Sequence, residues 1–417
     1  MVRLKFTPYV RNWICFHFMG NINNFSYCVV NAAGQSLAAY FDNSKNIALV
    51  LWANIAFGFA ARLLNTFALE KVGSKLKIAI NCFIMGGGLV GVALSYYVNF
   101  AFCISMIALI GIASSFGESV VLSYLKLFPS DIVNGWSSGT GVAGVSGSLF
   151  YIGLVAAGLS NSVIFYCILP TVLVYFALFF FGLKVPTGTN EANPYTPLKS
   201  ETEDIVNQKK QEKETLIENA DGIDQIVEPM RGPSGETKRN RYIRCAKLVW
   251  WNAINLMLVY FFEYVASVGG ADLAVNKKNS NDWFVTNSYA ILSFCYQFGV
   301  LISRSSLQLF KIHRIGILTV LQGINMVLWI VQAYYRMIES VWVLFALMIY
   351  CGLLGGASYV NVFYLILHDK KIPDEDREVC INYAALLVTV GITLASCFIL
   401  IMDHTFLAFQ VAANQAK

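Results

Sequence analysis

Apolar runs of about twenty residues, the length that crosses bilayer hydrocarbon as a helix, recur along this 417-residue chain too often to share one soluble core. Hydrophobic residues make up 57% of it and charged ones only 13%, and the charges gather in short segments between the runs. The chain therefore reads as an all-α polytopic membrane protein. Runs at about 13–33, 47–69, 78–98, 102–125, 132–159 and 163–183 make six spans. A seventh starts near 246, and others at about 283–303, 315–335, 341–367 and 379–402 bring the count to eleven. No small-residue cleavage site follows the first run, so it is expected to be a span and not a signal peptide.

With the N-terminus in the cytosol, the even-numbered connections hold Lys71, Lys75, Lys77, Lys126, the block from Lys184 to Lys247, Lys311, Arg314, Lys370, Lys371 and Arg377. The odd-numbered ones hold only Lys45, Lys277, Lys278 and Arg336, which fits the positive-inside rule and sets the orientation. Residues 185–244 are polar, charged and Pro-containing, and they predict a disordered cytosolic linker. It divides an N-terminal six-helix half (1–184) from a C-terminal half (245–417) of five full spans and a short luminal tail segment. Two patterns in the linker, Tyr195-Thr-Pro-Leu198 and Glu212 followed by Leu216-Ile217, have the form that endolysosomal sorting adaptors read.

The two halves align with one another. Phe25-Ser26-Tyr27 matches Phe262-Glu263-Tyr264 at an offset of 237; Val120, Tyr124 and Leu125 match Val360, Tyr364 and Leu365 at 240; Arg62 matches Arg304 at 242. Parallel repeats about a central cytosolic loop are the build of major-facilitator transporters. Only fifteen residues follow Met402, about 22 Å of helix against a ~30 Å core. Residues 406–416 are thus expected to be interfacial or re-entrant.

Longer motifs are more specific. Asn23-Asn24-Phe-Ser-Tyr27, Gly117-Glu118, Trp136-Ser-Ser-Gly-Thr-Gly141, Tyr260-Phe-Phe-Glu-Tyr264, Ser303-Arg-Ser-Ser-Leu307, Gly352-Leu-Leu-Gly-Gly-Ala-Ser-Tyr-Val-Asn361 and Arg377-Glu378 closely resemble the battenin family, from about residue 12 to 402. That resemblance implies a major-facilitator-like fold in an endolysosomal or vacuolar membrane. It also implies a role in clearing glycerophosphodiesters and in lysosomal pH homeostasis, with small polar metabolites, protons, membrane lipids and sorting adaptors as partners. The chain ends Asn-Gln-Ala-Lys, without a C-terminal Cys to prenylate, so lipid anchoring is not expected.

By the same resemblance, spans one, four, seven and ten line a central cavity. In span one Asn24, Tyr27 and Asn31 fall on one helix face and suit a polyol or phosphate ester, or else knit helices together. Asn361 and Tyr364 form a similar face in span ten. Glu118 and Glu263 are acids inside spans, where a charge costs at least ~2.5–3.5 kcal/mol; each is a candidate proton carrier or half of a structural ion pair. Helix rise puts Glu118 in the cytosolic half and Glu263 in the luminal half, a staggered pair. Arg62 and Arg304 sit near cytosolic span ends, suited to snorkelling, to a gate ion pair with the opposite half, or to anion contact.

The remaining features have plainer readings. Glycines 139, 141, 144, 147, 153 and 158 in span five, and 352, 355 and 356 in span ten, suit close helix packing and lack the Lys-Ser/Thr of a phosphate loop. Trp136 reads as an interfacial anchor, and Gln322, Asn325, Trp329 and Gln332 as an interhelical stripe. The ten cysteines form no CxxC and the four histidines are scattered, so neither a metal, a cofactor, an enzyme nor a nucleic-acid partner is expected. Basic amino acids are the rival substrates, and a trafficking scaffold built on the linker is the rival class.

Overall fold

The computed structural model describes residues 7–65, 69, 72–125, 127–128, 132–185, 237–276, 281–305, 311–373 and 376–410. Eleven long helices run through these residues: α1 (Pro8–Tyr40), α2 (Ile47–Leu63), α3 (Ser74–Ser95), α4 (Phe100–Leu125), α5 (Val133–Ala156), α6 (Asn161–Ala177), α7 (Lys238–Tyr264), α8 (Ser288–Ser305), α9 (Ile315–Tyr335), α10 (Val341–His368) and α11 (Arg377–His404). A π-helical turn, Leu178–Gly182, extends α6; another, Val265–Gly270, joins α7 to a last turn, Ala271–Leu273. Each predicted span is a helix, with ends moved by a few residues. Nine are long and apolar enough to cross a membrane on length and composition alone. The exceptions are the short α8 and α1, which carries Asn12, Asn21, Asn23, Asn24, Asn31 and Gln35.

Those six amides explain how so polar a helix can sit at the centre of the bundle. A buried amide must find partners, and each of these bonds to another helix or its flank. Asn12 exchanges two hydrogen bonds with the Lys184 backbone, Asn21 meets Ser146, and Asn23 donates to the Ser114 carbonyl at 2.8 Å. Asn24 accepts from Ser114, Asn31 accepts from Asn54, and Gln35 donates to Asp272.

The internal repeat is visible in the packing. Among the most extensive contacts are α1 with α5 and α2 with α4 in the first half; α7 with α11 and α8 with α10 are the same pairs shifted by six helices. Glycine lets these parallel helices approach. Gly139 lies on the backbone of His17 and Asn21, Gly147 on that of Phe25, Gly352 on that of Tyr296 and Val300. Gly141, Gly153 and Gly158 face open space, so the packing role expected for the whole series holds for only part of it. Trp136 is also not at the membrane face: it is buried, with its carbonyl against Gly20 of α1.

α7 starts earlier than expected. Thr237 caps it by accepting the Asn240 amide, and Lys238–Arg244 are helical, so the predicted linker 185–244 gives up its last seven residues to the bundle. Residues 186–236, with the Tyr195–Leu198 and Glu212–Ile217 patterns, lie outside the described residues. At the other end the chain turns after His404; Leu407 is buried with Leu273, Ala333 and Met402, and Gln410 donates to the Tyr334 carbonyl.

One end of the bundle, the basic face, carries the starts of α1, α7 and α11 and the end of α6. The apolar clusters centred on the second half take from the N-terminal half Ala38 at the end of α1, Ile47, Ala48, Leu51 and Ile55 in α2, and Ile152 late in α5, and the large cluster of the first half takes Ala290 at the start of α8. All lie between the middle of the bundle and the opposite face. The halves are thus sealed to one another away from the basic face.

Candidate functional site at the junction of the halves

Two repeat-related pairs meet across the junction. The hydroxyls of Tyr27 and Tyr264, matched at the offset of 237, are 3.4 Å apart, and Gln35 hydrogen-bonds Asp272 at that same offset. A pseudo-two-fold axis therefore passes between α1 and α7. Tyrosines continue from this point into the second half: Tyr260 stacks at 6.2 Å on Tyr264, Tyr264 lies edge-on to Tyr296 at 6.3 Å, and Tyr260 is tilted against Tyr359 at 6.3 Å.

Glu263 and Arg304 are held by this cluster. The carboxylate is only 1% exposed; Oε1 accepts the Tyr296 hydroxyl at 2.7 Å, while Oε2, facing Gly355, has no hydrogen-bond partner among the described residues. Arg304 does not snorkel. It lies 4.4 Å over the Tyr359 ring, donates from Nη2 to the Tyr260 hydroxyl at 3.4 Å, and its buried Nε has no hydrogen-bond partner among the described residues. A cation over an aromatic face is held by the ring quadrupole while keeping its donors for another acceptor. Its charge also reaches Glu263.

In the first half the arginine is neutralised directly. Arg62 Nη2 lies 2.5 Å from Glu118 Oε2, and both side chains are partly exposed, at 44% and 31%. Arg62 thus pairs within its own half and not across the gate as expected, because α2 and α4 run parallel in contact and set the last turn of α2 beside Glu118. Ser358 stands where Glu118 stands in the repeat, so Arg304 has no carboxylate on α10 and turns to the tyrosines instead. Tyr359, under the Arg304 guanidinium, is also within reach of the charges of Arg62 and Glu118 in the other half.

The other expected positions separate. Tyr27 faces the junction, whereas Asn24 and Asn31 are engaged with α4 and α2 and act as interhelical ties. Asn361 and Tyr364 do not form a shared cavity face. Buried Asn361 accepts the Ile312 amide at 2.7 Å and fixes the approach to α9, and Tyr364 stacks on His368 with Lys311 4.9 Å from its ring. Glu118 and Glu263 do not bond one another, as a staggered pair requires, but Glu263 is less deep toward the far side than expected. Its partners Tyr296 and Gly355 sit near the middles of α8 and α10. The stripe read on α9 holds in part: Gln322 donates toward Cys351 and Gln332 to the Ala274 and Ile338 carbonyls, whereas Asn325 Nδ2 and Trp329 Nε1 are buried without a hydrogen-bond partner among the described residues.

Sequence reasoning named Tyr27 but passed over Tyr260, Tyr264, Tyr296 and Tyr359 as site residues. The available signal was the spacing of Tyr260 and Tyr264, one helical turn apart on either side of Glu263.

The pattern of the CLN3 protein family matches residues 14–408. The chain is 68% identical over 422 aligned residues to battenin of Dictyostelium discoideum, covering 98% of each, and 28% identical to battenin of Canis lupus familiaris, covering 95% of this chain and 91% of that one. It is 30% identical to Protein BTN1 of Eremothecium gossypii, covering 96% of each. Among solved structures it resembles a bacterial homolog of the human lysosomal transporter Spinster in an inward-facing, unoccupied conformation, with a TM-score of 0.60, 13% identity, and 94% and 81% of the two chains covered. It also resembles a D-xylose–proton symporter, with a TM-score of 0.58, 14% identity, and 97% and 94% covered. These two likenesses carry the major-facilitator fold.

Proposed function

Because the chain belongs to the CLN3 protein family, the battenins, and has a major-facilitator fold, we propose that it exports small polar anions of the glycerophosphodiester class from the endolysosomal or vacuolar lumen by proton-coupled alternating access. The observation that carries this reading is the arrangement of Glu263 and Arg304. One buried carboxylate oxygen and one guanidinium nitrogen have no hydrogen-bond partner among the described residues, in a cluster of tyrosine hydroxyls at the junction of the halves. Arg304 can grip a phosphodiester oxygen, and the hydroxyls of Tyr27, Tyr264 and Tyr359 suit the glycerol. Ionised Glu263 competes with the anion for Arg304; protonated Glu263 does not. Proton and anion therefore move together, and an acidic lumen drives both outward. Glu118 is neutralised by Arg62, so the proton role falls to Glu263 and leaves Glu118 as half of an ion pair.

The basic face is the cytosolic one in this reading, and the apolar seal away from it corresponds to a conformation open to the cytosol. Clearing the lumen of such anions with their protons gives the link to lysosomal pH. Basic amino acids fit less well, since the acid with no nearby cation on its own turn is still within reach of Arg304. The test is flux of a labelled glycerophosphodiester in proteoliposomes with and without a pH gradient. The native chain should be accelerated by an acidic source compartment; Glu263→Gln should keep exchange but lose the acceleration. Flux of lysine or arginine in place of the diester, or an unchanged pH response in Glu263→Gln, would overturn the proposal.

A further inference from the structure

The start of α7 carries basic residues on two faces that have different surroundings. Arg241 and Arg244 turn inward onto Asp376, which is fully buried, at 2.6 and 2.8 Å. Arg239 and Lys247 are exposed on the other face, and neither is in an ion pair with a carboxylate among the described residues. Around these two cations a groove of about 920 Å³ opens beside α11, lined also by Tyr242, Ile243 and Trp250 of α7 and by Tyr383 of α11.

The groove is graded in polarity. Its cations lie in the first three turns, and Trp250, 55% exposed, lies where the continuous apolar stretch of α7 begins. From Arg239 to Trp250 is eleven residues, about 16 Å of helix. That distance spans the headgroup layer and enters the hydrocarbon, and exposed Trp is at home at that boundary. A soluble anion would use the cations and leave the apolar lining wet; a lipid with an anionic headgroup uses both. Basic pockets between spans on the positively charged side are where anionic headgroups bind.

We propose that this groove is a binding site for an anionic phospholipid, with its phosphate between Arg239 and Lys247 and its glycerol and acyl chains along Ile243 and Trp250. Arg239 supplies paired N–H donors and Lys247 a mobile point charge. The site is independent of the transport cluster, so its occupancy can be read without measuring flux.

Native mass spectrometry of the purified full chain, incubated with phosphatidylserine, phosphatidylinositol 4-phosphate or phosphatidylcholine, provides the test. The anionic lipids should be retained in preference. Arg239→Gln with Lys247→Gln should weaken their retention about thirty-fold, while Lys370→Gln with Lys371→Gln, on the same face but outside the groove, should change it less than two-fold. Equal loss in both pairs, or none in the first, would refute the site. Displacement of the lipid by millimolar inorganic phosphate would make it a phosphate site and also refute it. A photo-crosslinking residue at Tyr242 in the otherwise native chain gives a reading that does not depend on the folding of the double variant. Capture of a diacyl lipid supports the proposal, and capture of this chain's own 186–236 segment overturns it.

Discussion

At the scale of single residues, the two halves handle the same arginine differently. Arg62 meets a carboxylate, whereas Arg304 meets tyrosines and keeps donors free. Arg304→Gln should therefore lower glycerophosphodiester flux at least a hundred-fold, and Arg304→Lys should not rescue it, because an ammonium has neither the planar stack nor the paired donors. Asp376 invites a different measurement. Burial alone would raise its pKa, but Arg241 and Arg244 outweigh burial and hold the carboxyl below its ordinary range. A depressed carboxylate stabilises the fold at every pH above its unfolded value, near 3.9, and loses that contribution as pH falls through the folded value. Asp376→Asn should cost about 2–3 kcal/mol, below the ~3–5 of a fully buried pair because both arginines reach water. In detergent melts the deficit should be constant from pH 8 to about 5 and shrink only below about 4. Intramembrane acids and arginines were legible in the sequence because charge is rare there. Their partners were not, since a linear sequence does not give the register of α2 on α4 or of α7 on α8.

Helices were the most legible elements. Apolar runs located every one of the eleven, because backbone hydrogen bonds must be satisfied within the segment wherever lipid is the solvent. What the runs could not show was which face of each helix is covered. Trp136 was misjudged and the tyrosines passed over for that reason: amphipathic aromatics suit a membrane interface and a packed junction equally well. Glycines now separate by surroundings. A side chain at Gly352 would collide with the Tyr296 backbone, which cannot move without unseating α8 from α10. Gly352→Val should cost ~3 kcal/mol or more and be visible as lost thermal stability and poor assembly. At Gly141 nothing lies within 4 Å, so Gly141→Ala should be neutral or stabilising by up to ~1 kcal/mol through helix propensity alone. Comparing the two melts separates packing glycines from incidental ones.

For the molecule as a whole, near-constant offsets of 237 to 242 in the sequence correspond to a structural repeat of six helices. The repeat was legible, but its consequence at the junction was not, because nothing in one dimension says that matched residues should touch. In a symmetric dimer, a residue lying on the two-fold axis meets its own copy. Tyr27 with Tyr264 and Gln35 with Asp272 are such meetings inside one chain. The junction therefore has the geometry of two like subunits joined in one chain. Tyr27 and Tyr264 are identical across it; Gln35 and Asp272 make a donor and an acceptor. If that symmetry governs the contact, its two members are interchangeable. The exchange Gln35→Asp with Asp272→Gln should retain most of the flux, whereas Gln35→Asp alone, which sets two carboxylates against each other on the axis, should lose it.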